Sequence, residues 1–399
     1  MKKSNKSNAS KLLWLIIYMS IGGIMGFLIG KARSSGLELP KEYRALSTWL
    51  NILIFIGTYI VTVAFHEMGH FLSFLRNGIK MRALIITIFV FITEQGSWKL
   101  KIRPNNVTGT GGIAVPDLEV VKGEDDFSRL QKAYAKAIIA GPIASIIFLF
   151  AGILISIPIM LLTTNVYLKS FLLTFVISLI IITFVLLASS FINNEIAIGD
   201  FPAYKLAKKD TYFIAIQLYQ YALFSSYPDE VRKENTYLRN VLLRELEKKL
   251  ADLDTHVFTL SIIDAFLVEY LSDLVNELPC IVIDYIEFLQ ESPEAINKIL
   301  TSENALILWF HIIRFNHLNE STQDKANALY SRIKELKKLK SPVELYLAKQ
   351  TDHLLGIKDN SQYLLNKNNI RISSAHGLWK NFEGYFLDEI RLNEMTINQ

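Results

Sequence analysis

Long apolar runs interrupt the first half of the chain and are missing from the second. They lie at about residues 12–30 (LLWLIIYMSIGGIMGFLIG), 49–75, 134–162 and 167–191. A helix needs about 20 residues to cross the hydrocarbon of a bilayer, so each run predicts a membrane span. The first run is too long for a signal peptide and no small-residue cleavage site follows it, so it reads as an anchor. Its Gly22, Gly26 and Gly30 share one helix face, a spacing that lets helices approach closely.

Between the second and third runs the period changes. ALIITIFVFI (83–92) is β-branched and aromatic, SWKLKIR (97–103) alternates polar with apolar, and GTGGIAVP (109–116) carries glycine and proline where a chain turns. This predicts a small sheet beside or within the membrane, tolerated there only if buried in protein or facing a wet cavity. Beyond about residue 203, charged and apolar residues alternate at helical period, as in YLRNVLLRELEKKLADL (237–253). Helix starts are written at Tyr227-Pro228, at Ser292-Pro293 and at Ser341-Pro342-Val343-Glu344, the last a capping box. The expectation is an array of helix pairs or a non-repetitive bundle.

The fold class expected is therefore a multi-pass α-helical membrane protein, with about four transmembrane helices and a small membrane-associated β segment. An all-α cytoplasmic C-terminal domain follows. The expected division is 1–48 for the tail, anchor and external loop, 49–204 for the membrane core, and 205–399 for the helical domain. Composition agrees: 51% hydrophobic residues beside 20% charged ones describe a polar part joined to a membrane part. Lys2, Lys3, Lys6 and Lys11 flank the first run, and lysine and arginine are plentiful in 76–133 and after 192. That bias places both termini in the cytoplasm, and the membrane expected is a bacterial cytoplasmic one. A net charge of +4, without an arginine-rich arm, argues against nucleic acid as a partner. The single cysteine, Cys280, sits in the apolar run CIVIDYI and is expected to be a packed core thiol.

The chemistry lies in the second run, within VTVAFHEMGHFLSF (61–74). An ionisable group at mid-bilayer costs at least ~2.5–3.5 kcal/mol, so such residues persist there because they act. His66 and His70 are four apart, on one helix face and about 6 Å apart along the axis. Two imidazoles so spaced grip one Zn2+, with Glu67 placed as general base toward its water. A catalytic zinc takes a third protein ligand. Of the seven histidines only these two precede residue 200, which points to a carboxylate: Glu195 or Asp200, in SSFINNEIAIGDFPAY (189–204). The remaining histidines, His256, His311, His317, His353 and His376, show no ligand spacing and are expected to be structural.

These residues resemble the site-2 protease family, the M50-type intramembrane zinc metalloproteases. That family carries HExxH in one core helix, a glycine-proline motif like AGPxAN opening the next, and NxxPxxxxDG at the cytoplasmic end of a later one. The chain has His66-Glu67-Met68-Gly69-His70, AGPIAS (140–145), and Asn193/Asn194 followed by Asp200. It departs in Ser145, in Phe201 after the aspartate, and in having no proline ahead of it. The resemblance implies that His66, His70 and Asp200 hold zinc and that Glu67 is the base. It implies that the strand-rich segment pairs with substrate, with Asn193, Asn194, Gly112 and Pro142 as candidate substrate contacts. It also implies hydrolysis of peptide bonds in or next to transmembrane segments. The 116–131 linker is too short for the PDZ domain of some relatives. The expected partners are a transmembrane protein or peptide substrate, membrane lipid, a regulatory protein or peptide on the helical domain, and a second copy as homodimer. The rival reading is a non-catalytic metal-binding sensor or scaffold that signals through its helical domain.

Overall fold

The computed structural model describes residues 40–94, 96–103, 111–193, 198–372, 382 and 384–398. The expected first span with its glycines, and also Asn194, Glu195 and His376, lie outside these. Among the described residues three helices are long and apolar enough to cross a membrane: α1 (Thr48–Arg76), α2 (Glu124–Leu162) and α3 (Val166–Ser189). They match the second, third and fourth runs. Large apolar side chains such as Leu53, Phe55, Phe150, Leu154 and Phe184 stand exposed along them, as lipid-facing surfaces require.

Helix α2 starts ten residues before its apolar run. Glu124, Asp125 and Asp126 in its first turn suit the positive end of a helix dipole. Phe127, Leu130, Tyr134 and Ala137 then bury one face at helical spacing. Hydropathy shows only the apolar part, so the 116–131 stretch expected as a linker is half helix. The AGP motif expected to open this helix sits in its middle instead.

The β segment is a four-stranded antiparallel sheet in the order β3-β2-β1-β4, with β1 Met81–Ile86, β2 Phe89–Glu94, β3 Ser97–Ile102 and β4 Gly112–Pro116. The single apolar run at 83–92 is two strands, with Ile86 paired to Phe89 across a two-residue turn. Thr87 takes a positive φ of 53° there, which β-branched residues seldom adopt, so no turn signal marks the spot. The next hairpin turns at Gly96, φ 76°, the ordinary glycine solution. Half of the glycine-rich stretch expected to turn is β4. Every residue of β1 is buried, because both faces of the sheet are covered.

By contacts the chain forms two compact units. One runs through Thr62 and includes Ile146–Val185. Within it Lys169 pairs with Glu42 (3.0 Å) and Thr174 donates to Asn51 (2.7 Å). The other comprises Val63–Ser145 and everything from Leu186. It holds the sheet and a helical region: α4 (Asp200–Lys209), α5 (Thr211–Ala222), α6 (Pro228–Glu234), α7 (Thr236–Ala251), α8 (Val257–Leu271), α9 (Cys280–Glu291), α10 (Pro293–Asn297), α11 (Glu303–Leu318), α12 (Gln323–Leu336), α13 (Pro342–Leu354), α14 (Ser361–Leu365) and α15 (Gly384–Ile397). Helix α11 is buried almost throughout and packs on α8, α12 and α13. Helix α15 returns to α8 and α13, long-range contacts that a nearest-neighbour stack of repeats does not make. Arg232 of α6 grips Asp388 of α15 with two bonds of 2.9 Å, the buried bidentate geometry that guanidinium favours.

Cys280 is exposed, not packed: it opens α9 after Pro279, off the face made by Val282, Tyr285, Ile286 and Leu289. The expected helix starts at Pro228, Ser292 and Ser341 are all present. At Ser341 the Glu344 carboxylate accepts from the amides of Lys340 and Ser341 (2.7 and 2.8 Å) and pairs with Lys337 (2.9 Å). Although burial works against it, these donors hold its carboxyl down to about 2. A depressed folded value gives stability that is present above the unfolded carboxylate range and lost as pH falls toward 2. Glu344→Gln should therefore cost about 1–3 kcal/mol at pH 7. Its melting temperature in detergent should converge with that of wild type between about pH 5 and pH 2, and a difference that stays constant would refute the account.

Candidate metal centre

Helix α1 carries His66, Glu67 and His70 on adjoining positions of one turn. Their ligand-capable atoms lie within 4.8 Å of one another, and His66 and Glu67 are buried. Each imidazole is tied to α2 by its Nδ1. His70 Nδ1 donates to the Ala137 carbonyl (2.8 Å), and His66 Nδ1 meets Ser145 Oγ (2.9 Å). Anchoring Nδ1 fixes ring rotation and leaves Nε2 free to ligate.

Both Nε2 atoms face Asp200, the first residue of α4. Asp200 Oδ2 is 3.2 Å from His66 Nε2, and Oδ1 is 3.9 Å from His70 Nε2. Tetrahedral zinc with bonds of about 2.0–2.1 Å spaces its ligand atoms about 3.3 Å apart. The His66–Asp200 separation lies close to that value, and two imidazoles with a carboxylate are a donor set that zinc takes.

The segment before Asp200 folds back on the end of α3. The Phe201 amide donates to the Ser190 carbonyl (3.0 Å), Gly199 N–H to Ile192 (2.7 Å), and Ser190 Oγ to Asp200 Oδ2 (3.0 Å). Phe201 stacks on Phe191 at 4.3 Å. A Cβ on Gly199 would strike the backbone of Ser189 and Ser190, so the residue before the aspartate has to be glycine. Asn193 is exposed and bridges to Ile198.

Three further glycines let the pieces meet. A Cβ on Gly69 would run into the Ala140 carbonyl and Ala144 of α2; one on Gly141 would strike the His70 ring. One on Gly112 would strike Glu67, so this candidate substrate contact sits directly against the glutamate. Pro142, the other expected contact from a glycine-proline motif, is buried within α2. Lacking an N–H, it leaves the Ile138 carbonyl without its usual helical donor, one residue from the carbonyl that His70 uses.

Strand β4 ends the sheet beside Glu67. Thr87 N–H donates to Gly111 and Asp117 N–H to Lys80, so alternate residues 111, 113 and 115 turn their polar groups toward β1. Gly112 and Ala114 turn theirs outward, and the Ala114 amide meets the Glu67 carboxyl. Among the described residues no strand pairs with this outer edge.

Sequence reasoning singled out His66, Glu67, His70 and Asp200, and they stand together. It missed Ser145 as the partner of His66, although the residue was visible as a departure from AGPxAN. It missed Ala137, whose contribution is a backbone carbonyl. Of the other histidines, His311 is buried against Asp264 (2.7 Å) and His256 caps α8.

No curated protein and no solved structure matches the chain. The family model of peptidase family M50 matches residues 54–365, a span that takes in α1, the sheet, α2, α3 and most of the helical region. The chain therefore belongs to peptidase family M50, the site-2 protease family of membrane metalloproteases.

Proposed function

We propose that the chain is an intramembrane zinc endopeptidase that hydrolyses peptide bonds within or next to transmembrane segments of its substrates. The observation that carries this is the convergence of two anchored imidazoles and the Asp200 carboxylate, with Glu67 beside them. A structural zinc site needs ligands but no base, so Glu67 speaks against the sensor reading. His66, His70 and Asp200 hold the ion in this proposal. Bound there, the ion would supply Lewis-acid chemistry for a carbonyl and would lower a water's pKa to near 7.

The chain's own groups do the rest. Glu67 takes the proton from the attacking water and later hands it to the leaving amine. Substrate helices hide their carbonyls in their own hydrogen bonds, so the target has to unwind. The outer edge of β4, with the polar groups of Gly112 and the carbonyl of Ala114, supplies an extended peptide with partners at the glutamate. Asn193, exposed near Asp200 in the chain, is assigned a substrate contact in this reading. The catalytic face belongs at the cytoplasmic side of the membrane, and the helical domain is a recognition or regulatory module.

Glu67→Gln should keep zinc and lose about 10²–10⁴-fold in cleavage of a model membrane substrate. Unchanged cleavage with zinc bound would end the proteolytic reading. Metal stoichiometry of the full-length protein in detergent tests the ligands. Asp200→Ala and Gly141→Ala should each abolish stoichiometric zinc, and Ser145→Ala should weaken zinc affinity about 10–100-fold. An Asp200→Ala protein that stays folded and fully loaded would exclude Asp200 as a ligand.

A further inference from the structure

The sheet is a slab with the glutamate on one side and the helical region on the other. On one face Gly112 lies against Glu67, and Trp98 packs on Phe71 of α1 (5.8 Å). On the opposite face Ala83, Ile85, Val90, Ile92 and Val115, with Ile113, pack on Leu223, Phe224, Phe382, Tyr221 and Tyr385. Ile113 and Val115 are the β4 residues between and beyond Gly112 and Ala114. The strand that touches Glu67 therefore rests, through its alternate side chains, on aromatic rings of the helical region.

Those rings form a continuous prop. Phe224 meets Tyr221 (5.8 Å), Phe382 (5.2 Å) and Tyr385 (5.8 Å). Tyr221 meets Tyr134 of α2 (5.8 Å), which meets Phe74 of α1 (5.6 Å). Tyr134 hydroxyl also donates to Gln217 of α5 (3.1 Å). The far end of β4 is pinned to the same turn, where Ser226 N–H and Oγ donate to the Asp117 carboxylate at 2.9 and 2.7 Å. The turn has no slack, because a Cβ on Gly384 of α15 would strike the Leu223 carbonyl.

We propose that Phe224, braced by Tyr221, Phe382 and Tyr385, is a positioning residue that sets the height of β4 against Glu67, making the helical region part of the catalytic body. The proposal rests on the proteolytic reading for its kinetic consequence and on packing alone for its mechanical one. A misplacement of about 1 Å at a reacting group is worth about 10²-fold in rate, and a lost ring behind a strand gives room for such a shift. The prop also gives α15 a direct purchase on the site: what displaces Tyr385 loosens β4.

The test uses the full-length, zinc-loaded protein in detergent and a graded series, Phe224→Leu and Phe224→Ala, with Phe266→Leu and Phe266→Ala as controls. Phe266 is fully buried on Tyr219 of α5 but does not touch the sheet cluster. Down the Phe224 series, kcat should fall by about 3-fold and then 10- to 100-fold, with KM and bound zinc within twofold of wild type. Amide exchange of 112–116 should accelerate in step, while the Phe266 variants leave both readouts near wild type. If the alanine variant does not fold, the leucine variant carries the comparison alone. Phe224 variants with wild-type exchange at β4 would overturn the proposal, as would Phe266 variants that act equally on β4. Wild-type protein that cleaves nothing would instead defeat the proteolytic reading, and the exchange data would still decide whether the prop exists.

Discussion

Two hydrogen bonds on the wrong side of two imidazoles organise this site. Each ring has two nitrogens, and a histidine buried beside a membrane helix could rotate either toward a metal. With one Nδ1 held by the Ala137 carbonyl and the other by Ser145 Oγ, rotation is settled and both Nε2 atoms meet Asp200. This works only if α1 and α2 lie nearly in contact, since a side-chain hydrogen bond reaches no farther than about 3 Å. Gly69 and Gly141 supply that closeness, one facing backbone and the other facing the ring it must accommodate.

That dependence explains what could be read in advance. HExxH is local, since four residues of helix bring its groups together whatever the rest of the chain does. Asp200 was legible, with Glu195 as its rival, because both carboxylates follow the last apolar run and no third histidine precedes them. Ser145 and Gly112 act across space, seventy-nine and forty-five residues from the side chains they touch, and no periodicity carries that information. The fold divides similarly. Spans and capping boxes announce themselves, whereas the turn at Thr87 uses a residue that ordinarily avoids its conformation, and the first ten residues of α2 are amphipathic enough to be taken for a linker. Cys280 was misjudged because an apolar run says nothing of which face a helix turns inward.

The sheet shows how one period serves two masters. Odd positions of β1 and even positions of β2 enter the cluster with the helical region, and the alternate positions turn to the other face of the sheet. A β1 buried at every residue, Arg82 included, is here the signature of a strand covered on both sides. The same alternation gives β4 its division of labour. Ile113 and Val115 are side chains for packing, while Gly112 and Ala114 turn their backbone groups to the outer edge.

That division suits the problem a membrane protease faces. Unwinding a helix in an apolar medium strands peptide groups, each at a cost of several kcal/mol when unpaired. An enzyme can offset this only with backbone donors and acceptors already in place, because a strand that had to order itself on binding would add its own entropy to the cost. A sheet edge held from behind by aromatic rings is such a fixed partner. Under the proposed mechanism Glu67 would need no search for the peptide bond, since its carboxyl already lies against Gly112 and the Ala114 amide.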